Sequence, residues 1–295
     1  MNLISWLLAN PSQNMFVVAD MGSTKTDWSF VDRDKKVTLI KTQGFNPFFY
    51  STEDIKLLLE PEFSNKNIAW DKISDVYFYG SGCSAGEKCD IVKNALTPFF
   101  PKANIFVTHD LLGSARALCG REKGVACILG TGANTCLYDG EKIIANVTSA
   151  GFLLGDEGSG ADLGRELIKY YLYKELPKDL EQTFENEYKI TRQSLVGEVY
   201  STKHPNAYCA TYSKFLAKYK ENPVVQKLIE ERFDEFFKRH VSKYENYQKL
   251  PIHFIGSVAF YFSDHLKNVA KKYNTQVGII LQTPMEKLID FHYGF

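Results

Sequence analysis

The sequence predicts an α/β protein built from two similar domains, because one strand–hairpin–strand plan occurs twice along the chain. In the first copy, residues 15–20 are apolar and β-branched, residues 21–26 are small or polar, and residues 28–32 form a second strand. The second copy repeats this order over residues 125–129, 130–134 and 135–139. The shared plan indicates a duplicated α/β unit.

Three further strands are predicted over residues 75–79, 105–108 and 252–255. Each is followed by small or polar residues and then by a helix; these junctions are Gly80-Ser81-Gly82, His109-Asp110 and Gly256-Ser257. Ligands of open α/β sheets bind where strand carboxyl ends meet helix amino ends, whose N–H groups favour anions. The junctions are therefore candidate ligand-binding positions.

The helices after two of these junctions carry apolar residues at helical spacing. The helix after residue 82 is predicted to bury one face, formed by Ile91, Ala95, Leu96 and Phe99. The helix after residue 257 is predicted to bury Val258, Phe262, Leu266 and Val269.

Glycine and proline placement suggests where the domains divide. Most of the 20 glycines precede residue 165, whereas residues 161–250 read as helices separated by Pro177, Pro205 and Pro223. We predict a first domain over residues 1–118 and a second, with the helical insertion, over residues 119–280. A final segment over residues 281–295 is predicted to return to the first domain as a helix.

The amino-acid composition argues against two classes of protein, those that bind nucleic acid and those that bind membranes. The 35 basic residues balance the 35 acidic ones, which argues against a nucleic-acid-binding or membrane-surface protein. Hydrophobic residues make up 44% and charged residues 24%, as in packed globular proteins, and no apolar run approaches the roughly 20 residues of a membrane span. We therefore expect a soluble protein without nucleic-acid or membrane partners.

The six cysteines contain no C-x-x-C pair, and no secretory signal is apparent, so we expect free thiols in the cytoplasm. Residues 1–14 precede the first predicted strand and include a short apolar run. One hypothesis is that Met15 is the natural start and that residues 1–14 are an extension.

The first hairpin has the chemistry of a phosphate-binding turn. Gly22 allows close backbone approach, the hydroxyls of Ser23, Thr24 and Thr26 can donate to phosphate oxygens, and Asp20 can hold Mg²⁺. An ordinary polar hairpin explains the same residues, and the chain has no G-x-x-x-x-G-K-[ST] motif of a P-loop. The second hairpin mirrors the first with Gly130, Thr131, Gly132 and Asn134, and two facing hairpins would grip a polyphosphate with backbone donors.

An ordered set of motifs resembles the BadF/BadG/BcrA/BcrD-type ATPase family, and within it the N-acetylglucosamine kinases and their N-acetylmuramic acid kinase relatives. The motifs are D-M-G-S-T-K-T-D-W, Y-G-S-G-C-S-A-G, T-H-D-L-L-G-S-A-R-A, L-G-T-G-A-N-T and G-F-L-L-G-D-E-G-S-G-A, between residue 20 and residue 161. The resemblance implies two actin-like, ribonuclease H-like domains, with mixed sheets flanked by helices and an active site in the interdomain cleft.

The resemblance also implies roles for residues that bind ATP and Mg²⁺. Asp20 matches the metal-side carboxylate. The phosphate and adenosine motifs match Gly22, Ser23, Thr24, Gly130, Thr131, Gly132, Asn134, Gly256 and Ser257. Ser257 is a departure, because relatives often carry a second glycine there.

On the sugar side, Asp110 matches the catalytic base, and sugar-contact positions match Asn46, Ser81, Gly82, Gly151 and Asp156, together with Asp110 and Thr131. The residue pattern alone leaves alternatives open. Asp110 could simply cap its helix, and Glu157, next to Asp156, could be structural.

The resemblance implies a Mg²⁺/ATP-dependent kinase that phosphorylates the 6-hydroxyl of an N-acetylated amino sugar, with a homodimer as the expectation from the family. A second possibility is an ATPase activator of a dehydratase or reductase that shares an Fe–S cluster through cysteine ligands. A third, a sugar-sensing repressor, would need a helix-turn-helix and a basic face, which the neutral charge argues against.

Overall fold

The computed structural model describes residues 15–22, 25–64, 66, 68–84 and 86–293. The proposed extension over residues 1–14, and Ser23 and Thr24 of the first hairpin, lie outside the described residues. Two compact units make up the chain: one runs to Ala117 and includes the chain again from Pro284, and the other is Leu118–Thr283. Among the described helices, none has both the length and the apolar character needed to cross a bilayer.

The first unit contains a mixed five-stranded sheet in the order β3-β2-β1-β4-β5. Its strands are β1 (Met15–Met21), β2 (Lys25–Asp32), β3 (Val37–Gln43), β4 (Ile73–Gly80) and β5 (Asn104–His109). Strands β1, β2 and β3 are antiparallel, whereas β4 and β5 run parallel to β1. Its helices are α1 (Thr52–Ser64), α2 (Gly86–Leu96), α3 (Asp110–Cys119) and, from the end of the chain, α13 (Met285–Tyr293).

Aromatic side chains fill the core between this sheet and helices α1 and α2. Trp28 is fully buried, and its ring lies 5.1 Å from Phe63 and 5.6 Å from Phe78. The indole N–H donates to the Thr42 hydroxyl at 3.0 Å, so the one polar atom of this large side chain is satisfied. On the other side of the sheet, the ring of His292 in α13 stacks on Tyr77 of β4 at 3.6 Å.

The second unit repeats the sheet of the first. Its strands are β6 (Gly124–Leu129), β7 (Ala133–Tyr138), β8 (Ile143–Ala145), β9 (Ile252–Ile255) and β10 (Val277–Leu281). The order β8-β7-β6-β9-β10 has the same three antiparallel strands followed by two parallel ones. Two mixed sheets of equal topology confirm the predicted fold class.

Helices cover this sheet and supply most of the second core. They are α4 (Gly151–Leu154), α5 (Gly160–Leu172), α6 (Lys178–Tyr188), α7 (Arg192–Ser201), α8 (Pro205–Thr211), α9 (Ser213–Lys218), α10 (Pro223–Arg239), α11 (Ser257–Tyr261) and α12 (Ser263–Lys272). Pro205 and Pro223 are the first residues of their helices, and Pro177 is the N-cap of α6. Proline has no N–H to donate, and the first turn of a helix needs none.

Two predicted helices differ from the observed ones. The helix after residue 257 divides at Phe262 into α11 and α12, although all four residues predicted to be buried are buried. Helix α2 ends at Leu96, so Phe99 lies beyond it, and its buried residues are Val92, Ala95 and Leu96. Apolar spacing identifies the face that packs and is less informative about where the backbone turns.

Gly164 is required by the contact between α5 and α8. A Cβ at this position would lie 1.8 Å from the Cys209 carbonyl oxygen, so Gly164→Ala must push the helices apart. We expect a loss of about 1–3 kcal/mol of stability, measured by denaturant unfolding. Gly197→Ala in α7 is the matched control, because nothing lies within 4 Å of its added Cβ; it should stabilise the protein by about 0.5–1 kcal/mol. Equal effects of the two substitutions would contradict this role of Gly164.

Candidate functional site

In the first unit, Asp20 lies at the end of β1 and is paired in register with Asp27 of β2. Directly opposed residues of antiparallel strands share a face of the sheet. Burial, together with the negative charges of Asp110 and Asp27, raises the pKa of Asp20 to about 7, and Lys25 offsets only part of this effect. A cation at this edge would relieve the repulsion.

The donor set at this edge suits Mg²⁺. The side chains are carboxylates, and Mg²⁺ is usually held by one or two carboxylates together with water and substrate phosphates. A cluster of three or more ligating side chains is not found among the described residues, and such a site does not require one. Asp20 therefore fits the metal-side role.

Asp110 begins α3 directly after β5, which lies two positions from β1 in the sheet. The register places Thr108 of β5 in line with Asp20, with Tyr79 of β4 between them, and Asp110 follows two residues later at the same edge of the sheet. Burial raises the pKa of Asp110, and the N–H groups of residues 110 and 111 beside its carboxylate reduce that rise.

The side-chain cap at the third residue of α3 comes from His109, which the sequence pattern did not reveal. Its Nδ1 accepts a hydrogen bond from the Leu112 N–H at 3.2 Å. Burial lowers the pKa of His109, which favours the neutral imidazole that can accept this bond. Capping of α3 is therefore shared between two residues and does not depend on Asp110 alone.

Hydrogen bonds position two residues of the first hairpin, Gly22 within the hairpin itself and Thr26 against β3. The Gly22 N–H donates to the Lys25 carbonyl oxygen at 2.9 Å and closes the turn. Thr26 is fully buried, and its hydroxyl donates to the Gln43 carbonyl oxygen at 3.5 Å, a partner other than a phosphate. The ammonium of Lys25 lies 2.5 Å from Asp27.

Asn46, Ser81 and Gly82 are brought together beside the first hairpin. The Ser81 N–H donates to the Met21 carbonyl oxygen at 3.0 Å, which joins the ends of β1 and β4. Gly82 has φ +84°, and a Cβ there would lie 2.5 Å from the Asn46 Oδ1, so only glycine fits. The same Asn46 oxygen accepts the Phe48 N–H at 3.0 Å.

In the second unit, the start of α5 holds the hairpin over residues 130–134. The N–H groups of Gly160 and Ala161 donate to the carbonyl oxygens of Gly130 and Thr131 at 2.8 and 3.0 Å. The Asn134 side-chain oxygen accepts from the Thr135 N–H at 2.9 Å. The hairpin is thus fixed from both sides by backbone donors.

Asp156 fastens the same hairpin through its side chain. It is 8% exposed and has a left-handed backbone with φ +58°. Its Oδ1 accepts from the Ala133 N–H at 3.2 Å and from the Ser149 hydroxyl at 3.0 Å. A Cβ at Gly132 would lie 3.1 Å from its Oδ2, so the hairpin and this carboxylate are in close contact. Gly151, also assigned to sugar contact, begins α4 with φ +69°.

Gly256 marks the end of β9. Its φ is +120°, and a Cβ there would lie 2.2 Å from the Leu129 carbonyl oxygen, so another residue would clash with β6. Ser257 begins α11. The first position of a helix accepts a small side chain such as serine, so the turn does not need a second glycine there.

Comparison with known proteins decides the family. No protein-family model and no curated protein matches the chain. Among solved structures, a putative N-acetylglucosamine kinase from Porphyromonas gingivalis is 42% identical, with a TM-score of 0.89 over 95% of this chain and 99% of that chain. This chain belongs to the family of N-acetylglucosamine kinase-like proteins. The resemblance of the motifs to the N-acetylglucosamine kinases is thereby confirmed.

Two other solved structures share the fold of this N-acetylglucosamine kinase-like protein at low identity. A putative N-acetylglucosamine kinase from Chromobacterium violaceum is 14% identical, with a TM-score of 0.71 over 95% of this chain and 99% of that chain. MreB 5 of Spiroplasma citri, bound to AMPPNP, is 10% identical, with a TM-score of 0.54 over 96% of this chain and 95% of that chain. They confirm the actin-like ATPase fold.

Proposed function

We propose that the chain is an ATP-dependent kinase that phosphorylates the 6-hydroxyl of an N-acetylated amino sugar, either N-acetylglucosamine or N-acetylmuramic acid. The observation that carries this proposal is the 42% identity, over nearly the whole of both chains, to a putative N-acetylglucosamine kinase. The carboxylates Asp20 and Asp110, at the same edge of one sheet, support it, because phosphoryl transfer needs a base and a cation site.

In this proposal, Asp110 accepts the proton of the acceptor hydroxyl, and Asp20 holds Mg²⁺ directly or through its water shell. Bound Mg²⁺ supplies neutralisation of the negative charge on the phosphates. The raised pKa of Asp110 suits a base, since a carboxylate with a pKa closer to neutrality accepts a proton more readily.

The proposed phosphate contacts come from the two hairpins. In the first they are Gly22, which allows close approach of the chain, and the hydroxyls of Ser23 and Thr24; in the second they are Gly130, Thr131, Gly132 and Asn134. Gly256 and Ser257 are the proposed adenosine contacts. The proposed sugar contacts are Asn46, Ser81, Gly82, Asp110, Thr131, Gly151 and Asp156. Thr26 is retained only as a supporting residue of the first hairpin, because its hydroxyl already donates to a carbonyl oxygen.

The cysteines weaken the Fe–S activator as an alternative. All six are free, and five of them are buried. A cluster shared between two subunits needs cysteines at the surface of each, and only Cys89 is not buried.

A coupled assay of ADP release tests the proposed activity. The purified protein is supplied with ATP and Mg²⁺, and with N-acetylglucosamine, N-acetylmuramic acid, N-acetylmannosamine or glucose in turn. Turnover that depends on one of the first two sugars supports the proposal and names the substrate. ATP hydrolysis that is independent of sugar would contradict it.

Asp156→Ala is expected to raise the sugar KM by about 10-fold or more while changing the ATP KM by less than about 3-fold. The reason is that its carboxylate is a proposed sugar contact, whereas the hairpin keeps the hydrogen bonds from the Gly160 and Ala161 N–H groups when that carboxylate is removed. The measurement is the same ADP assay with each substrate varied separately. An equal rise in both KM values would instead assign Asp156 to holding the hairpin through Ala133.

The setting of this activity is proposed from the resemblance and the composition. We propose a cytoplasmic enzyme of amino sugar metabolism that forms a homodimer and binds no nucleic acid. Sedimentation analysis of the purified protein checks the dimer.

A further inference from the structure

Two consecutive carboxylates of the turn over residues 155–158 contact different parts of the second unit. Asp156 accepts the Ala133 N–H of the hairpin and also accepts the Ser149 hydroxyl. The Oε2 of Glu157 instead lies 3.0 Å from the His240 Nε2, and its Oε1 lies 3.4 Å from the Arg239 Nε. Residues 239 and 240 stand at the end of α10, so the turn is tied to two elements at once.

The residues at the end of α10 pack against the loop over residues 155–158. Gly158 has φ +73°, and a Cβ there would lie 3.1 Å from the Phe236 Cβ. The His240 N–H donates to the Phe236 carbonyl oxygen at 2.9 Å, and the two rings lie 5.3 Å apart. Contact with Phe236 therefore fixes the imidazole beside Glu157.

The role of the His240 imidazole is not explained by packing alone. His240 is 4% exposed, and within the described part of the chain its Nδ1 is buried without a hydrogen-bond partner. An apolar side chain would fill the same space without the cost of desolvating that nitrogen. What the histidine adds at this place is its contact with Glu157.

We propose that His240 and Glu157 are positioning residues that hold the 155–158 turn, and through Asp156 the hairpin over residues 130–134, in working geometry. The kinetic consequence rests on the proposed kinase function. The alternative is that His240 and Glu157 are a buried polar pair that only stabilises the protein. The test must therefore distinguish an effect on the position of the hairpin from an effect on the stability of the fold.

The kinetic test uses His240→Ala and Glu157→Gln. We expect the sugar KM of His240→Ala to rise about 10-fold or more and the ATP KM to rise about 3-fold or more. The reason is that Asp156 is a proposed sugar contact and the loosened hairpin is a proposed phosphate contact, and a small displacement of a contact group has a large kinetic cost. His240→Gln is expected to recover most of the loss, because its side-chain N–H can donate to Glu157 in the same place. Glu157→Gln keeps an acceptor oxygen and should lose less than His240→Ala.

Arg192→Ala is the matched control for stability. Arg192 lies 2.6 Å from Glu181 in a partly buried ion pair between α7 and α6. Its removal should lower Tm without moving either KM. If His240→Ala also lowers Tm and leaves both KM values within about 2-fold, the pair is only structural and the positioning role is wrong.

Amide hydrogen exchange gives a readout that does not need activity. The N–H groups of Ala133, Gly160 and Ala161 donate to Asp156 and to the hairpin, so they report on this geometry. In His240→Ala we expect exchange about 10-fold faster over residues 130–134 and 156–161, with the first unit unchanged. If exchange over these residues is no different from that in Arg192→Ala, His240 does not hold the 155–158 turn and the hairpin in place. Faster exchange in a protein that phosphorylates no sugar would refute only the kinase proposal.

Discussion

The Asp110→Asn variant is expected to lose about 10²- to 10⁴-fold in kcat for sugar phosphorylation while its affinity for ATP changes little. Asparagine has nearly the same shape as aspartate and caps helices equally well, so the start of α3 should survive the substitution. His109 independently accepts the Leu112 N–H. What the variant loses is a carboxylate that can take a proton, and the ADP assay with a nucleotide-binding titration measures both quantities.

Asp139→Asn is the matched control for this experiment. The Asp139 carboxylate accepts the N–H groups of Glu141 and Lys142 in the turn between β7 and β8, so it also caps backbone donors. Its substitution should leave kcat unchanged. If Asp110→Asn retained full kcat, Asp110 would be a helix cap only; if it lost ATP affinity instead, the residue would belong to the nucleotide or metal site.

The dependence of the wild-type rate on pH should also show whether Asp110 acts as the base. Burial raises the pKa of Asp110 above its usual value of 3.8. A base must be deprotonated to act, so the rate should fall as the pH drops below that raised pKa, and the acid limb should lie above the normal range of aspartate.

The strands that flank the site were predictable because their signals are local. Residues 15–19 and 125–129 form continuous apolar runs, as buried central strands do, and the structure places them at the middle of each sheet. The edge strands β3, β8 and β10 escaped prediction. Most positions of β3 are exposed, and β8 has three residues, so neither carries a clear apolar pattern.

The candidate site was predictable as far as it depends on glycine and on strand ends. Gly82 and Gly256 have positive φ and no space for a Cβ, and the motifs point to both. Contacts between residues distant in sequence were not predictable. Pairing of β1 with β2 sets Asp27 opposite Asp20, and the end of α10 brings His240 to Glu157 across 83 residues.

The ligand-free protein should lose stability as the pH rises from about 4 to about 7, and Asp20 is the expected cause. The folded protein raises the pKa of Asp20 from 3.8 to about 7, so between these values the folded state holds a proton that the unfolded state has released. Ionisation of Asp20 is therefore less favourable in the folded state than in the unfolded state. Each unit of difference between the two pKa values lowers the free energy of unfolding by up to about 1.4 kcal/mol, and this loss is the penalty of ionising Asp20. The penalty is absent below pH 4 and complete above pH 7.

Asp20→Asn removes this penalty, because the amide remains neutral at every pH. Without ligands we expect the variant to be more stable than the wild type by on the order of 2–4 kcal/mol at pH 8, and by clearly less at pH 5. Thermal denaturation at the two pH values measures the difference, with Asp90→Asn on the exposed side of α2 as the control that should change nothing. Mg²⁺ with ADP should raise the Tm of the wild type at pH 8 more than that of Asp20→Asn, because a cation relieves the same repulsion. Parallel pH profiles for the wild type and Asp20→Asn would show that this carboxylate is not strained by its neighbours, and the metal-side role of Asp20 would lose its physical basis.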